Sequence, residues 1–393
     1  MNALPATGPV PGTVEKLAPR SPRYESLTLW RGVACLLVVL YHSVFNGYAR
    51  PILNSPGTAA WILEVMSRFW IGVPIFFVIS GYCITASADG LRQRTSPGEN
   101  FFWRRFRRIY PPYWIWLGVA ALGVWVVEHF LRPDFFDAGG FGIVQPPQRL
   151  SLWQWIGNVT LTETWRWHWG GGIENEFLGH SWTLCYEEQF YAIVGLTLLF
   201  ARRFFFTMFV LITVVTLGGF FFFPWLGLRT WGVFVDGKWL MFAAGILVYY
   251  LLNYSSRRAM LWWSLPLVMA FLFTAESPDR LLRPHANDLT QSCFVAFGFA
   301  LLILLLHRWD KKLARAKLLR PLTYCGEMCY SLYLVHWPVV VAVGRVFDLL
   351  GMKNFAVAML ISVPVCVASA VGLAMVFHVL VERRFMNIGI KPG

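Results

Sequence analysis

Ten mostly apolar stretches recur along the chain, at about 27–48, 70–87, 110–130, 186–201, 204–223, 232–252, 259–275, 289–307, 329–349 and 355–381. Each is near the ~20 residues that an α-helix needs to cross the hydrocarbon core of a bilayer. In lipid the backbone must satisfy its own polar groups, and a stretch of this length does so as a helix. The expected fold class is therefore all-α: a polytopic integral membrane helical bundle of about ten transmembrane helices. Composition agrees. Of 393 residues only 14% are charged and 57% are hydrophobic, whereas soluble domains carry about 25% charge. A soluble globular domain and a disordered chain are both excluded on this ground.

The formal net charge of +13 would suggest nucleic acid in a soluble protein. Here 22 of the 34 Lys and Arg residues fall in the terminal segments and alternate interhelical segments, as the positive-inside rule requires if both termini are cytoplasmic. The basic balance is then mostly topology, and no nucleic-acid partner is expected; the lipid bilayer is. Residues 1–23 are polar, small and rich in Pro and Gly, and are expected to form a disordered cytoplasmic tail. Residues 24–385 form the membrane domain and 386–393 a second cytoplasmic tail.

The longest outer segment, about 131–185, carries Trp153, Trp155, Trp165, Trp167 and Trp169. These suit an interfacial aromatic belt first, and sugar stacking second. Asn158-Val159-Thr160 is a glycosylation triplet on that side. The seven cysteines are odd in number, show no CxxC or metal-ligand spacing, and read as packing residues, so neither a metal site nor a disulfide framework is expected.

Ionisable groups within a span cost about 2.5–3.5 kcal/mol each on insertion scales, which makes them functional candidates. The first span holds Arg31 and His42. Eleven residues separate them by roughly 16 Å along the axis and by close to three turns, so they share a face. Arg31 is expected near the cytoplasmic mouth and His42 beyond mid-membrane. The bland alternatives are a snorkelling Arg and a hydrogen-bonded core His.

The fourth span opens with His180, Trp182, Glu187, Glu188 and Tyr191. Adjacent carboxylates point about 100° apart, so one can face a cavity while the other caps or faces headgroups. A carboxylate beside an imidazole would fix its tautomer and raise its basicity, as a base toward a hydroxyl needs. The run Arg104, Arg105, Arg107, Arg108 frames two RxxR pairs, and on a helix such a pair makes a fork for phosphate. In Tyr330–Pro338, His336 and Tyr333 stand before Pro338; His336 either lines a cavity or satisfies a carbonyl freed by the proline kink.

These segments, in this order, resemble the membrane acyltransferase-3 family, the O-acetylases of bacterial surface glycans. Arg31 and His42 resemble its first-helix R-x10-H pair, and Phe76 to Tyr82 is similar to its FF-x-x-SGF segment. Phe102 to Pro111 resembles its arginine-rich third-helix entry, Trp182 to Tyr191 its W-S-L-x-x-E-x-x-F-Y segment, and Tyr330 to Pro338 its S-Y-x-x-Y-L-x-H-x-P segment. The resemblance implies a cytoplasmic acyl-CoA donor, usually acetyl-CoA, and an extracytoplasmic carbohydrate hydroxyl as acceptor, without a metal. It implies His42 as the catalytic His, Arg31 as its paired basic residue, Glu187 as the first acid of the fourth-helix segment, and the RxxR arginines as CoA-phosphate contacts. His180, Trp182, Tyr191, Tyr333 and His336 are expected to line the substrate site, with Glu187 or Glu188 orienting His42. Thr28 stands where the family often has Asp, and Cys185 where a small residue is usual; Thr28 is expected to cap the first helix. The rival from another class is a proton-coupled transporter of a glycan or small solute, which buried Arg, His and Glu would also suit.

Overall fold

The computed structural model describes residues 24–45, 57–133, 135–136, 146–169, 174–223, 225–228, 230–275, 289–352 and 354–386. The predicted tails, apart from Met386, lie outside them. The described residues are helical and contain no strand. Ten long helices follow one another: α1 (Leu27–Val44), α2 (Gly72–Leu91), α3 (Pro97–Val126), α4 (Trp182–Phe200), α5 (Phe205–Phe222), α6 (Trp239–Tyr254), α7 (Arg257–Ala275), α8 (Leu289–Leu306), α9 (Cys329–Leu349) and α10 (Val363–Phe377). Among the described residues seven helical stretches are long and apolar enough to cross a membrane; they contain α1, α2, α3, α5, α8, α9 and α10. Of the others, α6 and α7 are shorter apolar helices, and α4 carries Glu187, Glu188 and Gln189. The chain is a multi-pass integral membrane protein.

Several boundaries differ from expectation for local reasons. Helix α3 starts at Pro97 rather than near residue 110, because Pro97 at its first position needs no N–H partner. The arginine run is therefore helical throughout. Helix α6 begins at Trp239, and Lys238 is its N-cap rather than a residue within the span. Helix α10 is flanked by π-turns at Ala358–Ser362 and His378–Glu382, so the final helical run continues past residue 381 to Met386.

Helix α1 packs against α2, α9, α10 and the short helix Arg320–Glu327. Backbones meet where side chains are missing. A Cβ at Gly32 would lie 1.8 Å from the Leu322 carbonyl oxygen, and one at Gly326 would lie 1.7 Å from that of Thr28. Small residues at helix crossings allow this close approach, which in lipid supplies much of the packing energy. Thr28 does not cap α1. Instead Asp310, after α8, accepts from the backbone N–H groups of Glu25 (2.8 Å) and Ser26 (2.7 Å). The carboxylate satisfies two donors at the positive end of the helix.

Candidate active site

One face of α1 presents Arg31, Cys35, Val38 and His42, spaced one helical turn or two apart. Two cavities open along this face and share Val38, Val73 and Phe77 as a common wall. The first, about 120 Å³, contains Arg31 and is called here the arginine cavity. The second, about 260 Å³, contains His42 and is called the histidine cavity.

Arg105 and Arg108 of α3 line the arginine cavity with Arg31. The reason is the buried stripe of α3: Phe101, Ile109, Tyr113 and Trp116 recur at helical spacing, and Arg105 falls between the first two. The Arg105 guanidinium stacks over Phe101 (5.6 Å) and Tyr191 (5.4 Å). Its Nε is buried and has no hydrogen-bond partner among the described residues. Arg104 is exposed and Arg107 lies over Trp103 (5.9 Å); neither lines this cavity. Of the two RxxR pairs, the structure brings one to the site.

The carboxylates are not where expected. Glu187 lines the arginine cavity and accepts from the Ser80 hydroxyl at 2.8 Å. Glu188 turns to the Tyr110 hydroxyl at 3.3 Å. No hydrogen bond joins either to His42 among the described residues. The loop before α4 dips into the bundle, with Phe177 and Leu178 fully buried. The helix therefore starts at the depth of the histidine cavity, with Trp182 on its wall, and Glu187 lies five residues, roughly 7 Å, deeper.

His42 is instead surrounded by rings. Its imidazole meets Trp337 edge-on at 4.4 Å and lies 5.4 Å from His336, centroid to centroid. His180 lies 4.8 Å from His336, and its main-chain carbonyl accepts from the Tyr333 hydroxyl at 2.6 Å. The cavities divide these groups: His42, His180 and Trp182 line the histidine cavity, whereas His336, Tyr333 and Tyr191 line the arginine cavity. The expected substrate residues thus split between the two. Nδ1 of His336 lies 2.7 Å from the Tyr333 carbonyl oxygen and 3.2 Å from that of Leu332. The carbonyl that Pro338 frees is that of Leu334, so His336 does not serve it.

Lys238 borders the histidine cavity. Its Nζ lies 2.9 Å from Asp236 Oδ2, 4.1 Å from the Trp231 ring centroid and 4.8 Å from that of Tyr186. The outer-segment tryptophans do not form one surface: Trp153 and Trp169 are exposed, while Trp155 packs on Phe177. Asn158 is buried, and its amide bonds to the backbone of Gln154, Asn175 and Phe177. Its side chain is inaccessible as a glycosylation acceptor in the folded protein.

A buried carboxylate outside the expected site also lines the arginine cavity. Glu382, 1% exposed, accepts from the Ser331 hydroxyl and pairs with Nδ1 of His378 at 2.7 Å. The signal was present: His378 is an ionisable residue within the last apolar stretch, four residues before a Glu. Among the described residues no group of three or more His, Cys, Asp or Glu is arranged to hold a metal ion. None of the seven cysteines forms a disulfide among the described residues.

The fold is a helical membrane bundle with an arginine-lined and a histidine-lined cavity back to back. The acyltransferase domain of the acyltransferase-3 family matches residues 24–379, and the chain belongs to that family. It is 26% identical over 363 residues to a protein of Komagataeibacter xylinus named as the membrane-bound transacylase BcsY, covering 91% of this chain and 81% of that one. It is 29% identical over 141 residues to the exopolysaccharide production protein ExoZ of Rhizobium meliloti, covering 34% and 35%. No solved structure matches the chain. The protein is a membrane-embedded acyltransferase.

Proposed function

We propose that this enzyme moves an acyl group, acetyl first, from cytoplasmic acyl-CoA to a hydroxyl of an extracytoplasmic carbohydrate, in a bacterial inner membrane. On this reading the chain crosses the membrane ten times with both termini cytoplasmic, so that the arginine cavity faces the donor side. The observation that carries this reading is the division of α1 between two abutting cavities, with Arg31 in one and His42 in the other. A carbohydrate acceptor is supported by the aromatic wall of the histidine cavity, Tyr41, Trp70, Trp182 and Trp337. The name of the exopolysaccharide relative points the same way.

The donor fits the residues present. An unpartnered guanidinium nitrogen on Arg105, beside Arg108, suits the phosphates of CoA. The acyl thioester supplies an activated carbonyl. His42 acts as general base toward the acceptor hydroxyl, held by Trp337 and His336 rather than by a carboxylate. Arg31 holds negative charge near the join of the two cavities. A covalent acyl-imidazole on His42 is the variant of the same chemistry.

The test uses proteoliposomes with labelled acetyl-CoA supplied on one face and an isolated surface glycan on the other. Label should reach the glycan, and His42→Ala should abolish transfer. Full transfer by that variant would sink the catalytic assignment; uptake of glycan without loss of acetyl-CoA would favour a transporter.

A further inference from the structure

We propose that His336 is the general acid that protonates the departing thiol, relaying the proton that His42 removes from the acceptor hydroxyl. This rests on the acyl-CoA reading above and extends it. A single imidazole can serve both roles only if it reaches both the nucleophile and the leaving group. Here two imidazoles approach the join of the cavities from opposite sides, so the hydroxyl and the thiol that meet on one carbonyl carbon each have their own. His42 borders the histidine cavity and is absent from the arginine cavity; His336 is the reverse. The rings are 5.4 Å apart between centroids, a gap that one hydrogen bond or one bridging water closes.

The tautomer of His336 is set by its surroundings. Nδ1 lies within hydrogen-bond distance of two carbonyl oxygens, which only accept, so Nδ1 carries the proton. Nε2 therefore holds a lone pair. It is buried and has no hydrogen-bond partner among the described residues. An unpaired buried acceptor is costly unless it is used, and this one belongs to a ring on the cavity that holds the arginines. His180 is also near His336, at 4.8 Å, but it lines only the histidine cavity and is placed to contact the acceptor.

The proton balance closes. His42 takes the hydroxyl proton as the oxygen attacks the thioester carbonyl. The C–S bond breaks and its electron pair goes to sulfur. His42 passes a proton to Nε2 of His336, and His336 delivers a proton to the sulfur. The products are the ester and free CoA thiol, and both imidazoles return to their neutral forms.

The experiment is a leaving-group comparison with His336→Asn. The Asn amide keeps a donor for the Tyr333 carbonyl and removes Nε2, so the helix contact survives. With acetyl-CoA the variant should lose on the order of 10²–10⁴-fold in kcat, with KM for acetyl-CoA and CoA affinity by titration calorimetry unchanged. With the selenoester analogue of acetyl-CoA, whose selenolate leaves without a proton, the deficit relative to wild type should shrink at least tenfold. An equal deficit with both donors would overturn the proposal. Imidazole ¹⁵N NMR of the CoA-free wild type should show the Nδ1–H tautomer at His336; an Nε2–H tautomer would also overturn it. Wild type inert toward acetyl-CoA would instead remove the donor reading on which the proposal stands.

Discussion

Glu187 accepts a hydrogen bond from Ser80 at 2.8 Å and so belongs to the arginine cavity rather than to His42. It shares that cavity with Arg31, Arg105 and Arg108 and offsets part of their positive charge. Glu187→Gln should therefore change donor binding, moving KM for acyl-CoA by about tenfold, a coupling of roughly 1.4 kcal/mol. The pH dependence of kcat should be preserved. If Glu187 oriented His42, the same variant would shift the acidic limb of kcat and leave KM alone. Steady-state kinetics between pH 5 and 9 separates the two outcomes.

The arginine pairs make a second contrast. Arg105→Ala with Arg108→Ala should raise KM for acyl-CoA by ~100-fold or more, since each lost charge-assisted contact is worth about 1.5–3 kcal/mol. Arg104→Ala with Arg107→Ala should leave KM within about twofold, because neither side chain reaches the cavity. Equal effects of the two double variants would show that the cavity does not take the phosphates.

How much of this was legible beforehand differs by residue. Seven of the ten stretches were readable as spans among the described residues, because lipid imposes one length and one backbone solution. The Arg31–His42 face followed from helical periodicity alone. The choice of Arg105 and Arg108 was also within reach, since Phe101, Ile109 and Tyr113 mark the buried stripe of α3. The partner of His42 was not. Pairing His42 with Glu187 required the axial register of α4 against α1. That register is set by how far the Phe177–Leu178 loop dips into the bundle, a tertiary fact that spacing along one helix does not carry. Glu382 was lost at a boundary: a π-turn at His378–Glu382 carries the helix past the end of its apolar stretch.

Asp310 ties the start of α1 to the end of α8 through two backbone N–H groups. Asp310→Ala leaves the buried Ser26 N–H and the part-buried Glu25 N–H without this acceptor, at a cost of about 1–3 kcal/mol. The melting temperature in detergent should fall by several degrees, while Asp310→Asn, which keeps one acceptor oxygen, should lose less. An unchanged melting temperature in both variants would show that the first turn of α1 is held by its glycine contacts with Arg320–Glu327 alone.

The loop before α4 carries a pH response of its own. Burial, with smaller contributions from Glu174 and Glu163, raises the Glu176 carboxyl from 4.5 to about 7. In the folded loop Glu176 keeps its proton up to that pH, whereas the unfolded loop releases it near 4.5. Across this window the unfolded form binds fewer protons, so loop stability falls as pH rises. The Phe177 N–H, bonded to Asn158 Oδ1 at 2.8 Å, reports the opening one and three residues ahead of Leu178 and His180. Its hydrogen-exchange protection, corrected for the intrinsic pH dependence of exchange, should drop between pH 5 and 7.5 in the wild type. Glu176→Gln, neutral throughout, should flatten that profile. A profile equally steep in the variant would assign the response to another group.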